Sequence, residues 1–307
     1  MSDSKRTIIK PYRQPLSDKL WRNFVIGVPY FWLLLFFLAP FAIVLKISFA
    51  TPIVALPPFT PLLDFSANAS HWLLATWDNY RFLTEDNLYW VSYFKSIKIA
   101  AISTFICLLI GYPMAYGIAR ATPTTRNILL MLVILPFWTS FLLRVYAWMG
   151  LLGKHGIVNS LLMKIGLIDS PLQMLYTDMA VYVGIVYTYI PFMILPLYAN
   201  LEKLDSSLHD AAADLGAKPW QTFIDVTLPL SMPGIIAGSL LVFIPAIGEY
   251  VIPALLGGID SLMIGRTLYD EFFVNRDWPL ASAVATLLLI IIVIPIMLFQ
   301  RSQQEQE

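Results

Sequence analysis

The sequence is short of charge and of the residues that carry most soluble chemistry. Only 13% of its 307 residues are Asp, Glu, Lys or Arg, against roughly a quarter in an ordinary soluble domain. Twenty basic residues balance twenty acidic ones, which leaves no electrostatic footprint for nucleic acid. The single cysteine, Cys107, excludes an internal disulfide framework, and histidines at 71, 155 and 209 have no metal-ligand spacing. There is no G-x-x-x-x-G-K-[ST] phosphate loop; the nearest string, Gly150-Leu-Leu-Gly153-Lys154-His155, has the wrong spacing and lacks the hydroxyl residue. A G-x-S-x-G elbow is missing too, and no histidine lies in an apolar run to serve an intramembrane serine. The chain is therefore expected to be no enzyme and to hold no metal or cofactor of its own.

What is plentiful is apolar surface. Hydrophobic residues make up 58% of the chain, with 9 Trp, 15 Tyr and 19 Phe, and the mean hydropathy is +0.70. A helix needs about 20 residues to cross roughly 30 Å of hydrocarbon. Six runs meet that need: Phe24 to Ile47, Ile97 to Ile118, Ile128 to Leu152, Met179 to Tyr198, Met232 to Leu256 and Leu280 to Phe299. Six such runs with so few charges leave no polar face for water to wet. The expected fold is an all-α membrane protein of six transmembrane helices.

Orientation follows from the basic residues. Residues 1–23 form a tail with Lys5, Arg6, Lys10, Arg13, Lys19 and Arg22, whereas the loop of residues 49–93 holds only Arg81. The positive-inside rule puts the tail in the cytoplasm and the long loop outside. Six crossings return the tail of residues 300–307 to the cytoplasm, so both termini are expected there, on either side of a six-helix transmembrane domain over 24–299. The first run is longer than a signal-peptide core and no small-residue cleavage site follows it, so it is expected to remain as the first helix. In the long loop, Trp72, Trp77, Tyr80 and Tyr89 suit an interfacial aromatic belt. Proline lies in or beside every span, which suits a packed bundle whose neighbours satisfy the freed carbonyls. Gly234-Ile-Ile-Ala-Gly238 is a small-xxx-small surface for close helix approach.

The inner loop of residues 203–229 carries the specific signal. Ser207 with Asp210 reads as a capping-box-like start, Ala211 to Ala213 are strong helix formers, and Gly216 stands where a left-handed residue ends a helix. Pro219 suits the first position of a second helix. This loop resembles the EAA motif of binding-protein-dependent ABC importer permeases: Asp210-Ala211-Ala212, Gly216, Val226 and Leu228-Pro229 match its spacing, with Asp for Glu and Val for Ile. The similarity runs along nearly the whole chain. Leu135 to Trp148, Tyr187 to Phe192, Phe243 to Tyr250 and Gly265 to Phe273 resemble the spermidine/putrescine permeases, the putrescine type most closely.

That resemblance implies a type I ABC importer permease bundle in the bacterial inner membrane. It implies transport of polyamines, putrescine first, by alternating access. It also implies a second homologous permease, two ATP-binding subunits that hold the ATP and Mg, and a periplasmic polyamine-binding protein. Asp210, Ala211, Ala212 and Gly216 become the surface that docks into the ATPase.

Ionisable residues inside spans cost about 2.5–3.5 kcal/mol each at a helix centre. Arg144 and Glu249 lie 16 and 17 residues from the inner ends of their runs, about 25 Å along straight helices. Two readings stand: a buried Arg144–Glu249 ion pair, or a Glu249 that attracts the substrate's ammonium. Cations also favour aromatic faces, which adds Trp138, Tyr146, Tyr187, Tyr189 and Tyr250 to the pathway. Asp270 and Glu271, on the last outer loop, are placed to collect cations at its mouth. The alternative to an ABC permease is a self-sufficient cation channel or secondary transporter, but a secondary transporter usually shows repeated halves with broken helices, and no such repeat is found.

Overall fold

The computed structural model describes residues 16–61, 75–205, 207–259 and 261–304. Among these residues there is no β-strand, and the chain is a helical bundle. The first apolar run is α1 (Leu16–Leu33), a π-helical turn at Leu34–Leu38 and α2 (Ala39–Ile47). A short helix α3 (Asp78–Glu85) precedes α4 (Asn87–Arg120), whose first turn is capped by the Asp86 carboxylate accepting from the Leu88 amide at 2.8 Å. Next come α5 (Pro123–Ile134), a 3-10 turn at Leu135–Trp138, α6 (Phe141–Leu152) and α7 (Ile157–Lys164). The long α8 (Asp178–Leu201) leads into α9 (Ser207–Asp214), α10 (Pro219–Thr222), a π turn at Phe223–Thr227 and α11 (Leu228–Leu230). The chain closes with α12 (Met232–Ile247), α13 (Val251–Leu255), α14 (Ile264–Tyr269), a π turn at Asp270–Val274 and α15 (Trp278–Gln304).

The six apolar runs all fall on helices, but two of them are not single rods. Trp21–Ile47, Asn87–Arg120 and Asp178–Leu201 are long and apolar enough to cross a membrane. The third run is a pair, Pro123–Trp138 and Phe141–Lys164, bent by 91°. Pro136 lies in the turn, and Thr139 is extended (φ −97°, ψ 150°) where a straight helix requires αR geometry. The fifth run starts at a 63° bend between Pro219–Leu230 and Met232–Ile247, and is broken at 248–250 before α13. The depth of about 25 Å that a straight helix would give Arg144 therefore does not hold, whereas α12 runs from Met232 to Ile247, two residues short of Glu249.

Several boundaries also move. The outer loop expected over 49–93 ends earlier, because α3 and the first turns of α4 occupy its last part. Its Trp72 lies outside the described residues. Tyr89 is buried, not a belt residue, and Trp77 and Tyr80 pack on Phe49 at 4.9 and 5.3 Å between ring centres. Helix α1 begins inside the expected basic tail, and α15 continues into the expected C-terminal tail, to Gln304.

The heart of the bundle is α4, α8 and α12, each packed on the other two. Ile99, Ile185, Ile252 and Ile264 fill one end, and Cys107, Met193, Leu197 and Val242 the other. Burying a side chain of this size stabilises by about 1.5–3 kcal/mol. The small-xxx-small surface does what its composition requires: a Cβ at Gly234 would meet Asn200, and one at Gly238 would meet Met193, so α12 lies directly against α8. Some polar groups inside the bundle join one helix to another. Tyr93 donates to the Val284 carbonyl at 2.7 Å, and the Ile264 amide donates to Ser96 Oγ at 2.7 Å.

Candidate functional site

The loop of residues 203–229 builds two short helices separated by a left-handed glycine. Gly216 has φ +80°. The Ala217 amide donates to the Ala212 carbonyl at 3.0 Å and the Gly216 amide to the Ala213 carbonyl at 2.9 Å, the paired bonds of a Schellman end. Pro219 opens α10 as expected. The start of α9 differs. Ser207 is already helical, and the Asp205 carboxylate accepts its amide at 2.9 Å, which holds the Asp205 carboxyl below its ordinary range. Asp210 and Ala211 are exposed on α9, and Ala212 is half-buried. Leu215 is 89% exposed and Trp220 60% exposed beside them, so the loop offers an apolar, rigid knob.

His209 belongs to this knob and no motif pointed to it. Its Nε2 lies 2.7 Å from an Arg120 guanidinium nitrogen at the end of α4 and 3.1 Å from Thr227 Oγ1. The same Arg120 guanidinium lies 5.2 Å from the centre of the Tyr116 ring. One imidazole thus ties α9 both to a core helix and to the second half of the loop. A cavity of about 230 Å³ beneath the knob is lined by Tyr116, His209, Ala213, Thr222, Phe223 and Thr227. The signal for His209 was its position on the inward face of α9, which only the packing reveals.

In the bundle, the structure brings Glu249 and Tyr189 together and keeps Arg144 apart from both. Glu249 is 8% exposed and sits in the break between α12 and α13. Its Oε2 accepts from the Tyr189 hydroxyl at 2.5 Å, and its Oε1 accepts from the Val251 amide at 3.0 Å. These donors take the place of the expected arginine, so the Arg144–Glu249 ion pair is not made. A Cβ on Gly265 would come within 2.4 Å of the Gly248 carbonyl and 2.6 Å of the Glu249 carbonyl, so only glycine lets α14 lie against the break.

The other pathway candidates scatter. Tyr250 stacks on Tyr269 with ring centres 3.9 Å apart, and Tyr187 meets Trp148 edge-on at 5.4 Å. Trp138 and Tyr146 are 77% and 54% exposed and do not join the Glu249 cluster. Asp270 and Glu271 lie on a π-helical turn and not on an open loop. Glu271 is buried, where it accepts from the Tyr89 hydroxyl at 2.8 Å and from Asn275 at 2.9 Å. It borders a cavity of about 450 Å³ together with Asn79, Asp86 and Asp277. Burial raises the Asp277 carboxyl above its ordinary range, and the nearby Glu271 adds to the rise.

A bundle of kinked apolar helices with an exposed two-helix loop between α8 and α12 has the architecture of a membrane permease. Residues 107–304 match the family "Binding-protein-dependent transport system inner membrane component", and the chain belongs to it. It is 39% identical over 289 residues to the spermidine/putrescine transport system permease protein PotB of Haemophilus influenzae, covering 94% of this chain and 96% of that protein. Against PotB of Escherichia coli the identity is 41% over 232 residues, 76% of this chain and 84% of the relative. A bacterial ABC transporter that imports the acidic polysaccharide alginate has the same fold, with a TM-score of 0.65 at 17% identity over 95% of this chain and 99% of that one.

Proposed function

We propose that this chain is one permease subunit of an ATP-driven polyamine importer of the bacterial inner membrane, with putrescine ahead of spermidine as substrate. Its companions are a second homologous permease, two ATP-binding subunits that carry ATP and Mg, and a periplasmic polyamine-binding protein. Both termini and the α9–α10 loop lie on the cytoplasmic side.

The observation that carries this reading is the α9–α10 knob. Asp210, Ala211, Ala212 and Gly216 keep the motif spacing on a helix ended by a Schellman turn, with Leu215 and Trp220 bare beside it. Exposed apolar residues around a rigid turn suit a groove on another protein, and a rigid element transmits a push that a floppy loop would absorb. The motion reaches the pathway because α11 leads directly into α12, whose far end is the break at Glu249. Alternating access then consists of bending at that break and at Thr139–Ser140. Glu249 is the buried anion an ammonium would seek, and Tyr189, which donates to it, and Tyr250, next to it in the chain, supply π faces for a desolvated amine. The relatives named for spermidine and putrescine transport support the substrate class.

The test is uptake by the assembly reconstituted in proteoliposomes with each polyamine. Uptake is expected to require ATP, the ATPase and the binding protein together. Uphill transport by this chain purified alone would establish the self-sufficient channel or carrier in its place, and equal uptake of neutral amino acids would remove the polyamine assignment.

A further inference from the structure

Arg144 is a cation on an apolar helix, and among the described residues no anion stands beside it. Its guanidinium carbon lies 5.7 Å from the Phe137 ring centre and 5.9 Å from that of Phe141, and its Nε is buried with no hydrogen-bond acceptor. Among the described residues the ion pairs are Arg81–Glu85, Lys95–Asp178 and Arg126–Glu202, none of which involves it. Glu249 is already held by Tyr189 and the backbone of α13. Two ring faces soften the charge but leave the planar fork of donors unmet.

The surroundings of Arg144 narrow what meets it. On α6, Leu142, Leu143 and Tyr146 are 49%, 67% and 54% exposed, so this stretch of the helix is not covered by its own bundle. A guanidinium facing hydrocarbon alone is costly, and intramembrane cations pair with an anion or line water. A place on the wall of a path for ammonium ions is opposed by like-charge repulsion. A carboxylate from another membrane chain lying on this uncovered face meets the unpaired donors.

We propose that Arg144 forms an intramembrane ion pair with an aspartate or glutamate of the companion permease, and that this part of α6 is a seam between the two bundles. The proposal rests on the two-permease reading above. It makes Arg144 an assembly residue and removes it from the substrate path. Guanidinium geometry matters at such a site, because a carboxylate takes two parallel N–H donors from arginine and only a point charge from lysine.

The test uses the complete importer in membranes, with the photoreactive residue p-benzoylphenylalanine replacing Leu143 or Ala147, which flank Arg144 and leave it intact. The expected result is a light-dependent adduct with the companion permease, mapped to a membrane segment that contains an Asp or Glu. Arg144→Ala is expected to cut the adduct and the co-purified companion at least fivefold, and Arg144→Lys to recover only part. Arg144→Glu combined with a lysine at the mapped acid is expected to restore both. Adducts confined to this chain or to lipid overturn the proposal, as does an unchanged companion yield from Arg144→Ala. A wild-type complex that contains no second permease instead overturns the two-permease reading, so the two failures are told apart.

Discussion

The Tyr189 hydroxyl donates a 2.5 Å hydrogen bond to the Glu249 carboxylate and so joins α8 to the break between α12 and α13. A hydrogen bond to a charged group contributes about 1.5–3 kcal/mol, and here it also fixes the angle at which the fifth apolar segment is broken. Tyr189→Phe is expected to lower the melting temperature of the purified complex by several degrees and to reduce uptake. Glu249→Gln keeps an acceptor for the Val251 amide but removes the charge. Its expected outcome is a near-normal melting temperature with polyamine uptake reduced at least tenfold, about 1.4 kcal/mol. Full uptake by Glu249→Gln would make the residue a scaffold only.

Gly216 is left-handed with open space around its missing side chain, so strain there is a matter of backbone and not of packing. An L residue in that region costs about 1–2 kcal/mol. Gly216→Val should leave the bundle folded while disordering the end of α9. ATP hydrolysis and uptake, measured together in proteoliposomes, are expected to lose their proportion. Unchanged coupling would remove the knob from the mechanism.

His209 ties α9 to Arg120 and Thr227. Loss of a tie of about 1 kcal/mol corresponds to roughly fivefold in an equilibrium. His209→Ala is expected to raise the ATP consumed per molecule imported by a few-fold without changing membrane abundance, with His209→Gln closer to wild type. Equal ratios in all three proteins would show the contact to be idle.

Much of the fold was legible in the chain, and the sites were legible only in part. The six apolar runs and the glycine-ended loop follow from length, composition and local backbone rules, which act within a few residues. The break at Thr139–Ser140 was not legible, since apolar residues continue through it and hydropathy carries no direction. Glu271 read as an exposed acid because its neighbours in sequence are at a loop; the hydroxyl that buries it comes from Tyr89, far away along the chain.

Asp277 gives the pH dependence a sign. Its carboxyl is raised by burial and by the nearby Glu271, while it accepts the Leu280 amide at 3.0 Å. A raised carboxyl favours the folded state below the unfolded carboxylate range, and that contribution is lost as pH rises through the folded value. Asp277→Asn keeps the acceptor and removes the titration. Its melting temperature relative to wild type is therefore expected to climb as pH goes from the acid range to neutrality. A difference that stays flat, or that shrinks toward neutral pH, would contradict this assignment.

The overpacking test concerns Gly238, where a Cβ would lie 2.9 Å from Met193 Sδ and 3.1 Å from the Met193 carbonyl. Added bulk in a filled core costs about 1–3 kcal/mol. Gly238→Leu is expected to lower thermal stability sharply and Gly238→Ala mildly, read by unfolding of the purified complex. An unaffected Gly238→Leu would mean that α8 and α12 are not held at this distance.

The order of residues by itself determined that this chain lives in lipid, how many apolar segments it has, and where the glycine-ended knob with its motif lies. Those are properties of composition and of neighbours in the chain. Which acid meets which donor was decided only in three dimensions. Glu249 found Tyr189 and the amides of a broken helix, and Arg144 was left to two phenylalanines, because a bend of 91° in the third segment sets directions that no count along a straight helix contains.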